Sequence, residues 1–331
     1  MAAEAYGRTA AGAAVELWRL GGGGGIEVSV ITYGARLASL TVPGPGGRRE
    51  VLLARGDMAG WEDDRAYLGA TVGRFAGRIE GSRFKLDGQE HRLPANDGSA
   101  CLHGGTPGFE RAVWRAEADG DGVVMRHTSP HGDQGFPGQL DVAVRFSVRD
   151  GCALVLEYTA TTDAPTVLNL TNHAYFNLSG GGDVLGHAMT IAADAFVPVG
   201  PGLIQNGPPC PVAGTPFDFR TARMIGAGLG EGHEQLRIAG GYDHTYLLSP
   251  APVLAPRWVA RVAADGIAMD VHTTQPAIQL YTGNFLDNPK HAALCLETQH
   301  VPNSPNRAEF PSTVLRPGMV FRSETVYRFS G

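Results

Sequence analysis

Apolar and polar residues alternate in short stretches along the chain. Ile26-Glu27-Val28-Ser29-Val30 has the two-residue period of a half-buried strand. A second strand is predicted over residues 34–42, closed by Pro43-Gly44-Pro45-Gly46-Gly47, and Val51-Leu52-Leu53 continues the series. The cleanest alternation runs from Leu140 to Arg149, and the turn Asp150-Gly151 predicts that residues 153–162 return as its hairpin partner. Asp87-Gly88 predicts another hairpin turn. Further strands are predicted at 123–127, 245–248, 258–263, 268–273, 277–281, 293–297 and 325–329, with one short helix within 221–229. Gly21 to Gly25 predict a flexible connection and the proline-rich stretch 198–216 an irregular one. The polar run Trp61-Glu62-Asp63-Asp64-Arg65-Ala66-Tyr67 predicts a solvated loop, because its carboxylates lack the spacing of metal ligands. Many short strands separated by glycine and proline turns make an all-β sandwich or barrel. No break in composition marks a linker, so residues 1–331 are expected to form a single domain.

Composition narrows the class. The chain has 331 residues, of which 46 are glycine and 22 proline, which disfavours long helices. With 43% hydrophobic and 18% charged residues it can bury a large core. A net charge of −6, a pI near 6.0 and the absence of any Lys/Arg run argue against a nucleic-acid binder. No secretory leader and no membrane-length apolar run is evident. The cysteines Cys101, Cys152, Cys210 and Cys295 are scattered without a Cys-x-x-Cys pair, so reduced thiols and a cytoplasmic setting are expected.

The chemistry concentrates in Asn169-Leu170-Thr171-Asn172-His173-Ala174-Tyr175-Phe176-Asn177-Leu178, which lies just before Gly180-Gly181-Gly182. Glycines after a half-apolar segment predict a strand leading into a turn, with His173 near the strand end. A histidine held there among amides and hydroxyls can exchange protons near neutral pH. The same stretch resembles the signature of the aldose 1-epimerases (galactose mutarotases). Gly73-Arg74-Phe75-Ala76-Gly77-Arg78-Ile79 is similar to a second element of that family, and Asn96 with Leu102-His103-Gly104-Gly105 to a third. Gly241-Tyr242-Asp243-His244 and Glu297-Thr298-Gln299, the latter followed by Pro302-Asn303-Ser304-Pro305-Asn306, resemble two more. Residues 275–284 add weaker support. The matches follow the family's order across nearly the whole chain.

The resemblance implies a large antiparallel β-sandwich of the galactose mutarotase type and an isomerase acting on the anomers of free aldohexoses such as glucose or galactose. A cyclic aldose must lose the C1 hydroxyl proton while its ring oxygen gains one, so one base and one acid are needed. By resemblance Glu297 is the base and His173 the acid, while Arg78, His103, Asp243 and Gln279 hold the sugar. The reference values, near 4.3 for Glu and 6.5 for His, leave the carboxyl ionised and roughly a quarter of the rings charged at neutral pH. A neighbouring carboxylate is expected to raise that fraction. No cofactor is expected. A zinc site from His173, His103, Glu297 and Asp243 is the metal alternative, disfavoured because no His-x-x-x-His pair accompanies them. A nucleophilic Cys101 or Cys295 lacks an evident base. The expected partner is a monosaccharide, with no nucleic acid or membrane, and the chain works as a monomer or weak dimer. Two alternatives keep the fold: an epimerase of a phosphorylated or otherwise modified sugar, for which Arg74 and Arg78 are the available cations, or a non-catalytic sugar-binding protein. Gly77 and Ala100 stand where the family has asparagine. Each substitution is expected to remove a sugar contact, and restoring asparagine at Gly77 is expected to tighten binding.

Overall fold

The computed structural model describes residues 2–248, 253–286 and 289–331. Its centre is a nine-stranded antiparallel sheet in the order Arg115–Asp119, Gly122–Ser129, Leu140–Arg149, Ala153–Thr162, Phe321–Ser330, Ile267–Thr273, Arg257–Ala264, Ala188–Ile191 and Arg223–Met224. The predicted hairpin is its spine, registered from Leu140 opposite Thr162 to Arg149 opposite Ala153. An N-terminal five-stranded meander, Glu4–Arg8, Ala14–Gly21, Glu27–Ile31, Arg36–Gly44 and Gly47–Glu50, forms a second sheet. A third has the order Cys210–Pro211, Ala195–Val197, Asp243–Leu247, Ala277–Tyr281 and Cys295–Gln299. Their inward faces meet in one core, where Trp18 and Leu37 pack with Val144, Leu156, Ile278 and Leu296. The predicted all-β sandwich is the observed class. Among the described residues no helix is long and apolar enough to cross a membrane.

Four expectations are corrected. Gly21 to Gly25 do not form a flexible connection. They close a tight hairpin in which the Gly22 amide donates to the Ile26 carbonyl, and a Cβ on Gly25 would lie 2.2 Å from the Gly151 carbonyl oxygen. Val51-Leu52-Leu53 is not a sheet strand, Leu52 making only an isolated bridge to Phe176. The predicted strand 293–297 starts two residues later, because Leu294 also bridges Phe176, and this puts Glu297 at the middle of Cys295–Gln299. The polar run from Trp61 is not a solvated loop: Met58–Asp63 is a short helix capped by Asp57, and Trp61 and Asp64 are buried. The pattern also does not predict Gly47–Glu50, whose Gly-Arg-Arg-Glu sequence is that of an edge strand with no apolar face.

Candidate active site

Side chains alternate across a strand, so Cys295, Glu297 and Gln299 share one face of the third sheet. Gln279 stands opposite Glu297 and Thr245 opposite Gln279, with Asp243 two residues along from Thr245. The opposite face carries Tyr246, Leu280 and Leu296 into the core. This polar face floors a cleft of about 610 Å3, within the usual range for a small-molecule site. Gln279 is oriented at both ends of its amide: its oxygen accepts from the Thr245 hydroxyl and its nitrogen donates to Asp243 Oδ1 at 2.6 Å.

His173 enters from above, one residue beyond the short strand Thr171–Asn172, and its backbone is clamped on both sides. Its amide donates to the Ala70 carbonyl at 2.8 Å and its carbonyl accepts from the Gly69 amide at 2.9 Å. The ring lies between the rings of Tyr175 and Tyr67, with centroids at 5.0 and 6.0 Å. Nε2 is 3.8 Å from Glu297 Oε1, and Nδ1 is 3.4 Å from the Cys295 sulfur. Tyr67 takes φ +58°, an uncommon conformation for so large a residue. The buried Asp64 carboxylate holds it there, accepting from the Ala66 and Leu68 amides and pairing with the buried Arg36 at 3.2 Å.

The third wall is the loop that ends in His103. Asn96 builds it, accepting from the Leu102 amide at 2.7 Å and donating to the Leu102 carbonyl at 3.0 Å. The Gly77 amide donates to His103 Nδ1 at 3.2 Å. A backbone N–H can only donate, so Nδ1 is the acceptor and the neutral ring carries its proton on Nε2. Arg78 is mostly buried and pairs with Asp97 at 2.6 Å.

Burial dominates the electrostatics. It pushes the Glu297 carboxyl up to about 8, helped by Asp243 and opposed by Arg78. It also raises Asp243, again against Arg78 and the Gln279 hydrogen bond. His173 is lowered to about 4 by burial, and His103 falls well below its ordinary value through burial, His173 and Arg78. The expectation of unperturbed groups is therefore corrected. At neutral pH Glu297 holds the proton and His173 is neutral, because burial disfavours the charged form of each.

The cleft brings Arg78, His103, His173, Asp243, Gln279 and Glu297 together, as the sequence predicts. It adds Tyr67, Tyr175, Tyr281, Gln205 and Gln299. Gln299, Tyr175 and Tyr281 were within reach of sequence reasoning, each lying two residues from a predicted site residue. Tyr67 and Gln205 carry no such signal. Ala100 is buried in its turn and does not line the cleft. Arg74 is also removed from the site, donating to Ser129 and to the Pro130, Pro137 and Gly138 carbonyls in the interior. All four cysteines are unpaired, and burial raises the Cys101 and Cys295 thiols away from nucleophilic use.

Ligand atoms of His103, His173 and Glu297 lie within 4.8 Å of one another, the closeness of a three-ligand metal centre. His103 does not fit that role. One ring nitrogen accepts from Gly77 and the other carries the proton, so no lone pair is left for a metal. The neutral ring instead offers an Nε2–H donor.

The chain that builds this cleft has counterparts among known proteins. The family model described as aldose 1-epimerase matches residues 16–328. The chain belongs to the aldose 1-epimerase family. It is 40% identical to the galactose mutarotase of Rattus norvegicus over 320 residues, covering 92% of this chain and 91% of the relative. The aldose 1-epimerase of Escherichia coli is 38% identical over 323 residues, with 92% of each chain covered. Among solved structures, an aldose epimerase homologue from C. elegans superposes with a TM-score of 0.88 at 31% identity, covering 96% of this chain and 99% of that one. This epimerase is thus an isomerase that interconverts the anomers of aldoses.

Proposed function

We propose that the cleft takes a free aldohexose and that Glu297 and His173 exchange protons with its C1 hydroxyl and ring oxygen. The observation that carries this reading is the 3.8 Å approach of the two groups within a cleft otherwise lined by hydrogen-bonding side chains. Glu297 takes the C1 hydroxyl proton, the C1–O5 bond breaks as C1=O1 forms, and O5 receives a proton from His173. Rotation about C1–C2 and closure with the roles reversed give the other anomer. His103 Nε2–H, Arg78 and the Asp243–Gln279 pair hold the remaining oxygens.

The pair carries one proton between about pH 4 and about pH 8, and before sugar binds that proton sits on Glu297. A sugar hydroxyl donating to the carboxylate favours its ionised form. Glu297 Oε2, buried without a partner among the described residues, is available to accept it. Sugar binding then passes the proton to His173. The resting proton also favours a second reading, in which Glu297 is the acid at the ring oxygen and His173 the base. Infrared difference spectra on sugar binding separate the two: loss of the protonated-carboxyl band supports the first, its persistence the second.

A phosphorylated substrate has less support. Arg74 is consumed in the interior and Arg78 is paired with Asp97. Arg55 and Arg65 line the cleft from exposed positions, and Arg55 pairs with Asp64 at 3.7 Å. A core drawing on residues from Trp18 to Phe329 supports one domain. The unpaired thiols support a cytoplasmic setting. Polarimetry of freshly dissolved α-D-glucose and α-D-galactose tests the proposal. Faster mutarotation, lost in Glu297→Gln, is expected, and an unaltered rate with both sugars would overturn it.

A further inference from the structure

Two glutamine amides line the cleft with no use in the acid–base chemistry. Gln299 is 1% exposed and Gln205 6%, and neither side chain makes a hydrogen bond among the described residues. Both carbonyl oxygens are buried acceptors without a donor. Such groups are costly unless something supplies the missing bond, so a pair of them facing one cavity marks where a ligand donor belongs.

Their backbones are fixed even though their amides are not. The Asn169 amide donates to the Ala76 and His300 carbonyls at 3.0 and 3.2 Å and accepts from the His300 amide at 2.9 Å, which ties the end of the Gln299 strand to the Gly77 segment. Arg307 holds the Gln205 loop through the Gln205 and Gly207 carbonyls at 3.1 and 2.7 Å. Gln299 lies two residues beyond Glu297 on the same face, roughly 7 Å along the strand. That is about the span of a pyranose ring from its anomeric oxygen to a hydroxyl on its far side.

We infer that Gln205 and Gln299 form a second hydroxyl-recognition subsite, which reads sugar hydroxyls remote from C1 and sets which aldoses the enzyme prefers. This rests on the reading of Glu297 as the group at the C1 oxygen. An amide offers both a donor and an acceptor and carries no charge, so the subsite suits neutral hydroxyls rather than a phosphate or carboxylate. A site built to bond a hydroxyl discriminates strongly against the analogue that lacks it, because its own buried groups are then left unpaired.

The test sets wild-type protein, Gln299→Met and Gln205→Ala against D-glucose and its 2-, 3-, 4- and 6-deoxy analogues. Wild type is expected to lose about tenfold or more in kcat/KM on at least one deoxy sugar, and each variant to narrow that ratio to about threefold, chiefly by losing affinity for the parent sugar. Variants that lower kcat/KM for every sugar by one common factor overturn the inference, as does a wild type indifferent to every deletion. Gln205→Ala, on its loop, decides the matter if Gln299→Met does not fold. The same ratios read as Kd by calorimetry need no turnover. Discrimination in Kd without catalysis would sink the acid–base reading of Glu297 and His173 and leave the subsite standing.

Discussion

The sulfur of Cys295 lies 3.4 Å from Nδ1 of His173 in a fully buried setting. Burial, with Glu297 and Asp243 nearby, keeps the thiol protonated, so it can donate to a bare Nδ1 or accept from Nδ1–H. It therefore matches the ring in either tautomer. Cys295→Ala leaves Nδ1 without that partner, and we expect kcat to fall about two- to twelvefold, the worth of one neutral hydrogen bond. Cys295→Ser keeps a donor and an acceptor and is expected to stay within about threefold of wild type. Equal losses in both variants, measured by polarimetry, would assign the sulfur to packing alone.

Glu297→Gln and His173→Asn preserve much of the shape and remove proton exchange. Each is expected to lower kcat by roughly 10²–10⁴-fold with KM little changed. A variant altered only in KM would make that residue a binding group.

The pH dependence follows from the opposed shifts. Both groups together hold one proton between about 4 and about 8, so kcat/KM should be bell-shaped with limbs near those values. Stability follows by linkage. The Glu297 pKa is raised on folding, so the folded state binds its proton more tightly, and stability falls as pH rises from the ordinary carboxyl value near 4.5 through about 8. The His173 pKa is lowered on folding, and stability is lost as pH falls from 6.5 through about 4. Glu297→Gln has no buried carboxylate to ionise, so its melting temperature should gain on wild type between about pH 5 and about pH 9. Parallel melting curves across that range would contradict the shift.

Exhaustive chelation should leave mutarotation unchanged. The Gly77 amide keeps His103 Nδ1 an acceptor and fixes the proton on Nε2, which suits a sugar oxygen and not a cation. Activity lost to chelator and restored by Zn²⁺ alone would require that hydrogen bond to break.

The hairpin 140–162 was legible because strict alternation and an Asp-Gly turn point to one register. Residues of the site were legible where the chain repeats a known wording, as at His173, His103 and Glu297. Asp64 was misread because a carboxylate in a polar run looks solvated until Arg36, 28 residues away in sequence, is seen buried against it. The protonation of Glu297 could not be read at all. It depends on a desolvated wall assembled from distant segments, with Asp243 raising and Arg78 lowering the same group.

Gly77 tests how tightly that wall is built. Its φ of +78° favours glycine, although asparagine tolerates this region better than most residues. The greater obstacle is space, since a Cβ at Gly77 would lie 2.5 and 2.6 Å from Cγ and Cβ of the Pro302 ring. The expected gain from Gly77→Asn is therefore reversed. Pro302 must shift, and with it the turn that follows the Gln299 strand, at a cost of about 1–3 kcal/mol for an overpacked site. The Gly77 amide also orients His103, so any displacement reaches the Nε2–H that we propose holds the sugar. We expect Gly77→Asn to melt lower than wild type and to raise KM for glucose and galactose alike. Pro302→Ala in the same chain removes the ring Cγ and should recover part of both losses. A Gly77→Asn protein with wild-type melting and a lower KM would mean that Pro302 yields freely and that the asparagine reaches the sugar.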